Sequence, residues 1–169
     1  MRVEIRKTAD GSGLLRCTRR DGSVCWQKQR RHGVHFAFHD LTHFAVETVL
    51  GYRDGFFGLL AQGWEMEDTT GKGARGPLPP GALEVEALVG ALDAERACGS
   101  LLTADEFNEM AALQAANGGR PAPRCLTDAE IQAVRKRRSE LFGDWQEVKD
   151  GSELVLELPD RETRAILSS

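Results

Sequence analysis

The sequence predicts an α+β domain: an antiparallel sheet from an N-terminal meander and a C-terminal hairpin, with about five helices between. Three observations carry that expectation. The chain opens with three strand-like segments separated by turn residues, and apolar residues then recur at helical spacing through the middle. A last pair of β-like segments surrounds Asp150-Gly151. With 169 residues, 41% of them apolar, the chain suits one domain over 1–169 with a single core.

The meander, 1–30, comprises Val3–Lys7, Leu14–Thr18 and Val24–Gln29, joined by Ala9–Gly13 and Arg20–Ser23. A two-residue turn at Asp21-Gly22 pairs residue 20 with 23, which puts Cys17 and Cys25 on opposite faces as reduced, unpaired thiols. A His-bearing helical pair, 38–66, follows. Phe38, Leu41, Ala45, Val46 and Val49 recur at spacings of three and four up to Gly51, with Asp40 in the first turn. Gly55–Met66 reads as a second helix turning back on the first. Four Gly and three Pro make 69–81 a loop. Residues 82–142 hold the helices Ala82–Ala97, Ala104–Ala116 and Asp128–Phe142. Two of them start with capping boxes, Thr103 with Glu106 and Thr127 with Glu130. The hairpin, 145–158, pairs Trp145–Lys149 with Leu154–Leu158.

No apolar run approaches the roughly 20 residues of a membrane span, and no signal-like apolar stretch opens the chain. A cytoplasmic protein with no membrane partner is expected. Net charge is −4, yet residues 1–35 carry nine Lys/Arg against three Asp/Glu. That basic hairpin lacks the interleaved aromatics of a single-strand binder, so nucleic acid is not the expected partner. Arg135-Lys136-Arg137-Arg138 spans a full helical turn, so at least one of the four points inward.

All four histidines, His32, His35, His39 and His43, fall within twelve residues. His39 and His43 stand at i and i+4, so both imidazoles leave one helix face and can hold zinc or another divalent transition metal. Asp40 is the candidate catalytic base, and His35 and Glu47 are candidate further ligands. On a continuous helix, a metal midway between the histidines lies about 9 Å of axial rise from Glu47. That exceeds the carboxylate's reach, and orienting a histidine suits Glu47 better. The third ligand then comes from His35 or from Glu65, Glu67 or Asp68 on the returning segment. A two-His site with open positions leaves room for an activated water, and so points to a metal-dependent hydrolase acting on a small molecule or peptide. The same pattern also fits two structural, hydrogen-bonded histidines on a pH-sensitive helix. The rival class is a non-catalytic interaction module presenting its basic surfaces to an acidic partner or nucleic acid.

His39-Asp40-Leu41-Thr42-His43 resembles the H-E-x-x-H motif of metallohydrolases, with Asp in place of the Glu that acts as general base. In thermolysin-type members the third ligand is a Glu on a downstream helix. The segment HDLTHFAVETVLGYRDGFFGLLAQ is also similar to the HDxxH zinc-motif region of a family of ubiquinone-biosynthesis proteins. There the family's downstream ligand Glu falls near Leu59. Over more of its length the chain resembles small uncharacterised bacterial proteins with an HDxxHxxxE helix after a β-hairpin, which imply no activity. HD-type phosphohydrolases share only the adjacent His39-Asp40 pair and sit in an all-helical setting.

Overall fold

Alternating inward and outward side chains define β1 (Arg2–Lys7), β2 (Gly13–Thr18), β3 (Val24–Gln29) and β4 (Glu153–Glu157). The computed structural model describes residues 1–9, 13–29, 33–71 and 73–159. It joins the four strands into one antiparallel sheet in the order β3-β2-β1-β4. Val3, Ile5, Leu15, Cys17, Cys25 and Leu156 form the buried face of the sheet. Five helices make up the rest of the fold: α1 (Gly33–Leu50), α2 (Phe56–Ala61), α3 (Pro80–Cys98), α4 (Ala104–Asn117) and α5 (Asp128–Glu147). The α+β class holds. Helix α1 is central, packing on α3, α5 and the sheet, with Phe44 and Leu41 in a core shared with Leu88, Leu92 and Leu141. Pro80 sits in the first turn of α3, where its missing N–H costs nothing. Both capping boxes form, so α4 and α5 start at the predicted residues.

Four local expectations are corrected. The β2–β3 turn is one residue longer than a two-residue loop. Arg19 N donates to Ser23 O at 2.9 Å, and Gly22 takes φ +83°, which a side chain would resist. Thr18 therefore faces Val24 and Cys17 faces Cys25, both cysteines on the buried side as free thiols. Helix α1 starts at Gly33, so Asp40 lies two turns in and buried rather than at a helix start. Helix α2 is six residues long instead of twelve, because Gly63 at φ +89° ends the run before a short 3-10 turn at Asp68–Thr70. The first arm of the expected hairpin is helical as far as Glu147, where α5 ends. Trp145 continues the inward row of Ile131, Val134, Arg138 and Leu141 on α5, and that burial overrides its β propensity. Only β4 of the C-terminal segment joins the sheet. The expectations for His32, for the turn residues 10–12, for residue 72 of the loop and for the tail after Pro159 lie outside the described residues.

No helix among the described residues is long and apolar enough to cross a membrane.

Candidate functional site

Because α1 extends back to Gly33, His35, His39, His43 and Glu47 form one i, i+4 row along it. Helix α3 lies alongside and brings Glu86 and Asp93 against the row. His39 Nδ1 donates to Asp93 Oδ2 at 2.9 Å. A carboxylate only accepts, so this bond places a proton on Nδ1, and in the neutral ring Nε2 then keeps the lone pair. Asp93 is held below the ordinary carboxylate range. Its burial opposes that shift, but the bond to His39 and the His39 and Arg96 charges outweigh it.

His43 is the buried member, with 3% of its side chain exposed. Its Nδ1 has no hydrogen-bond partner and stands 3.7 Å from Glu47 Oε1, while its Nε2 stands 3.6 Å from Glu86 Oε1. Burial pulls the imidazole's pKa down, yet the carboxylates of Glu47, Glu86 and Asp40 more than reverse this and raise it above the usual histidine value. The His39 and His43 rings meet edge to face with centroids 4.8 Å apart. His39 and Glu86 are each about a third exposed, so the junction opens to solvent on their side.

The other candidate ligands have separate occupations. Glu47 is fully buried and its two carboxylate oxygens accept from Phe57 N and Gly58 N at 3.1 and 2.9 Å. It thereby caps α2, whose own N-cap, Gly55, has no side chain to do so. A Cβ on Gly55 would stand 2.5 Å from the Glu47 carboxyl carbon, so glycine is required there. Asp40 is buried, and its charge acts on Cys17 of β2 as well as on His43. His35 is exposed, stacks on His39 and lies 3.3 Å from an Arg96 nitrogen, a cationic neighbour that disfavours metal. Glu65 pairs with Arg19 at 3.1 Å. Asp68 accepts from Glu65 N and Arg75 N within its own turn, and Glu67 lies beside Trp26 near β3. None of these three is brought to the histidines by a contact among the described residues.

Glu86 and Asp93 are the site residues that sequence reasoning missed. Their signal was present: they are seven residues apart, two helical turns, flanking the buried Val85, Leu88, Val89 and Leu92 stripe. Among the described residues no group of three His, Cys, Asp or Glu side chains is placed to hold a metal ion.

The basic surfaces are partly neutralised. Arg135 and Arg138 both turn inward onto Glu95, and Arg2 and Arg16 share Glu4. Comparison of the chain with family models, with curated proteins and with solved structures finds no match in any of the three.

Proposed function

We propose that the chain binds a divalent transition metal such as zinc between α1 and α3, and that metal-assisted hydrolysis of a small molecule or peptide is the chemistry such a site would serve. His39 and His43 would bind through Nε2, with Glu86 as the third ligand. Asp93 would orient His39 through Nδ1, and Glu47 would do the same for His43.

The observation that carries this reading is the state of His43: buried, its Nδ1 unbonded, and its Nε2 3.6 Å from a carboxylate oxygen. That distance is too long for a hydrogen bond. Two donors sharing one tetrahedral ion at about 2.1 Å each would stand about 3.4 Å apart, so a small rotation of the solvent-facing Glu86 completes the pair. An ion there would also offset the carboxylate charges of Glu47 and Glu86 on either side of the imidazole. Three ligands leave a fourth position for water or substrate.

Metal content of purified protein and zinc titration test the reading. Wild type should carry or take up about one ion per chain, as protein-built zinc sites do. His39→Ala/His43→Ala should abolish uptake, Glu86→Gln should weaken it severely, and Asp93→Asn should weaken it about 10–100-fold. Wild type that takes up no zinc overturns the proposal, as does equal uptake by Glu86→Gln.

A further inference from the structure

We propose that the cleft between the C-terminal end of α3, the Gly99–Leu101 loop and α5 binds a small organic anion, a carboxylate or phosphate carrying an apolar group. The cleft has a volume of about 520 Å³, within the range of small-ligand sites. Its walls combine two chemistries. Arg96, Arg135, Lys136 and Arg138 line it against one carboxylate, Glu95, while Leu101 and Phe142 supply apolar surface.

The charges in the cleft do not balance. Glu95 is buried and takes both arginines: Arg135 through Nε and Nη2, and Arg138 through Nη2 at 3.6 Å. Glu95 also accepts Leu102 N at 3.0 Å, so its oxygens are fully used. One negative charge thus faces two inward arginines, with Lys136 exposed at the rim and joined to no carboxylate among the described residues. Burial lowers the Arg138 pKa; Glu95 and Asp93 oppose this, and the neighbouring Arg135 and Arg96 charges reinforce it. Counting Asp93, which pairs with Arg96, two carboxylates answer the four lining cations, so about two positive charges remain for a ligand anion. Guanidinium groups pre-positioned by buried bonds lose little freedom on accepting an oxyanion.

The apolar wall selects the rest of the ligand. Leu101 is 71% exposed at the cleft mouth, the most exposed large apolar side chain among the described residues. Phe142 is held in place by Phe38, with ring centroids 4.6 Å apart. Covering Leu101 would remove apolar area from water beside the cationic floor. An anion with a flat or branched apolar group meets both requirements. Arg96 also pairs with Asp93, the partner of His39, so this cleft adjoins the proposed metal site without depending on it.

The test is titration of the full chain, stripped of metal by chelator and then dialysed, with 1-naphthyl phosphate, followed by calorimetry and amide chemical shifts. Saturable binding is expected, with shifts concentrated at residues 96–101 and 132–142. Neutral 1-naphthol and the Lys136→Glu variant should each weaken binding about tenfold or more, the scale of one charge-assisted contact. Leu101→Ser should weaken it as well, and both substituted residues are exposed, so folding is preserved. Absence of saturation, unchanged affinity in Lys136→Glu, or shifts mapping elsewhere overturns the proposal. Because the protein is metal-free throughout, failure here leaves the metal reading standing, and the reverse.

Discussion

Two carboxylates on α3, Asp93 and Glu95, sit two residues apart in the chain and meet opposite fates. Glu95 faces α5, where both oxygens are engaged by arginines and a backbone amide, and Arg135 closes the cluster by donating to Leu102 O. Asp93 faces α1, where Oδ2 holds His39, while Oδ1 is buried without a hydrogen bond and has only a longer ion-pair contact, 3.7 Å, with Arg96 Nε. Arginine keeps its charge at any ordinary pH, whereas imidazole does not. The first cluster is therefore a fixed brace between α3, α5 and the loop that follows α3. The second is a set of titratable groups with bonding capacity unspent, the condition in which a ligand finds partners.

The largest effect should come from the brace. Glu95→Gln leaves two buried guanidinium groups without their counter-charge and should cost about 3–5 kcal/mol in urea denaturation. Asp93→Asn, beside a partly exposed imidazole, should cost about 1 kcal/mol or less. Equal losses would break the contrast. Next comes Glu47→Gln, which replaces a charged cap with one that offers a single acceptor oxygen. A loss of about 1–2 kcal/mol is expected, with faster amide exchange at Phe57 and Gly58. Unchanged exchange there would remove Glu47 from the role of cap.

The smallest effect is the pH slope of the metal-free protein. His43 is raised in the folded state, so its contribution is complete below the unfolded value of about 6.5 and is lost as pH climbs through the higher folded value. Asp93 is lowered, so its contribution is present above the unfolded carboxylate value and is lost as acid protonates it in the fold. His43→Gln should flatten the decline on the alkaline side, where one proton contributes at most about 1.4 kcal/mol per pH unit. Survival of the full slope in that variant would show that other groups set it.

Much of this architecture was legible in local chemistry. The meander, the two capping boxes and the His39–His43 row follow from turn residues, Thr-x-x-Glu spacing and helical periodicity, all of which act within a few residues. What escaped depended on tertiary context. Trp145 is helical because α5 has an inward row to extend, and one extra turn residue reverses the relation of Cys17 to Cys25. Glu86 and Asp93 were invisible as site residues because helix pairing, which brings α3 to α1, leaves no short-range mark. Arg135 and Arg138 were the intermediate case: geometry demanded an inward arginine, but only packing named Glu95 as its partner.

The sheet order carries a consequence for how the chain is made. Strand β1 pairs on one side with its sequence neighbour β2 and on the other with β4, matching Ile5 to both Leu15 and Leu154. During synthesis the meander can form early, but one edge of β1 stays open until Glu153–Glu157, about 150 residues later, has emerged. An open, half-apolar edge is a template for intermolecular pairing. Closing it demands a contact of very high sequence separation, which slows folding. The nascent chain is therefore most vulnerable to aggregation in the interval before β4 arrives, and a chaperone that shields strand edges would serve it then.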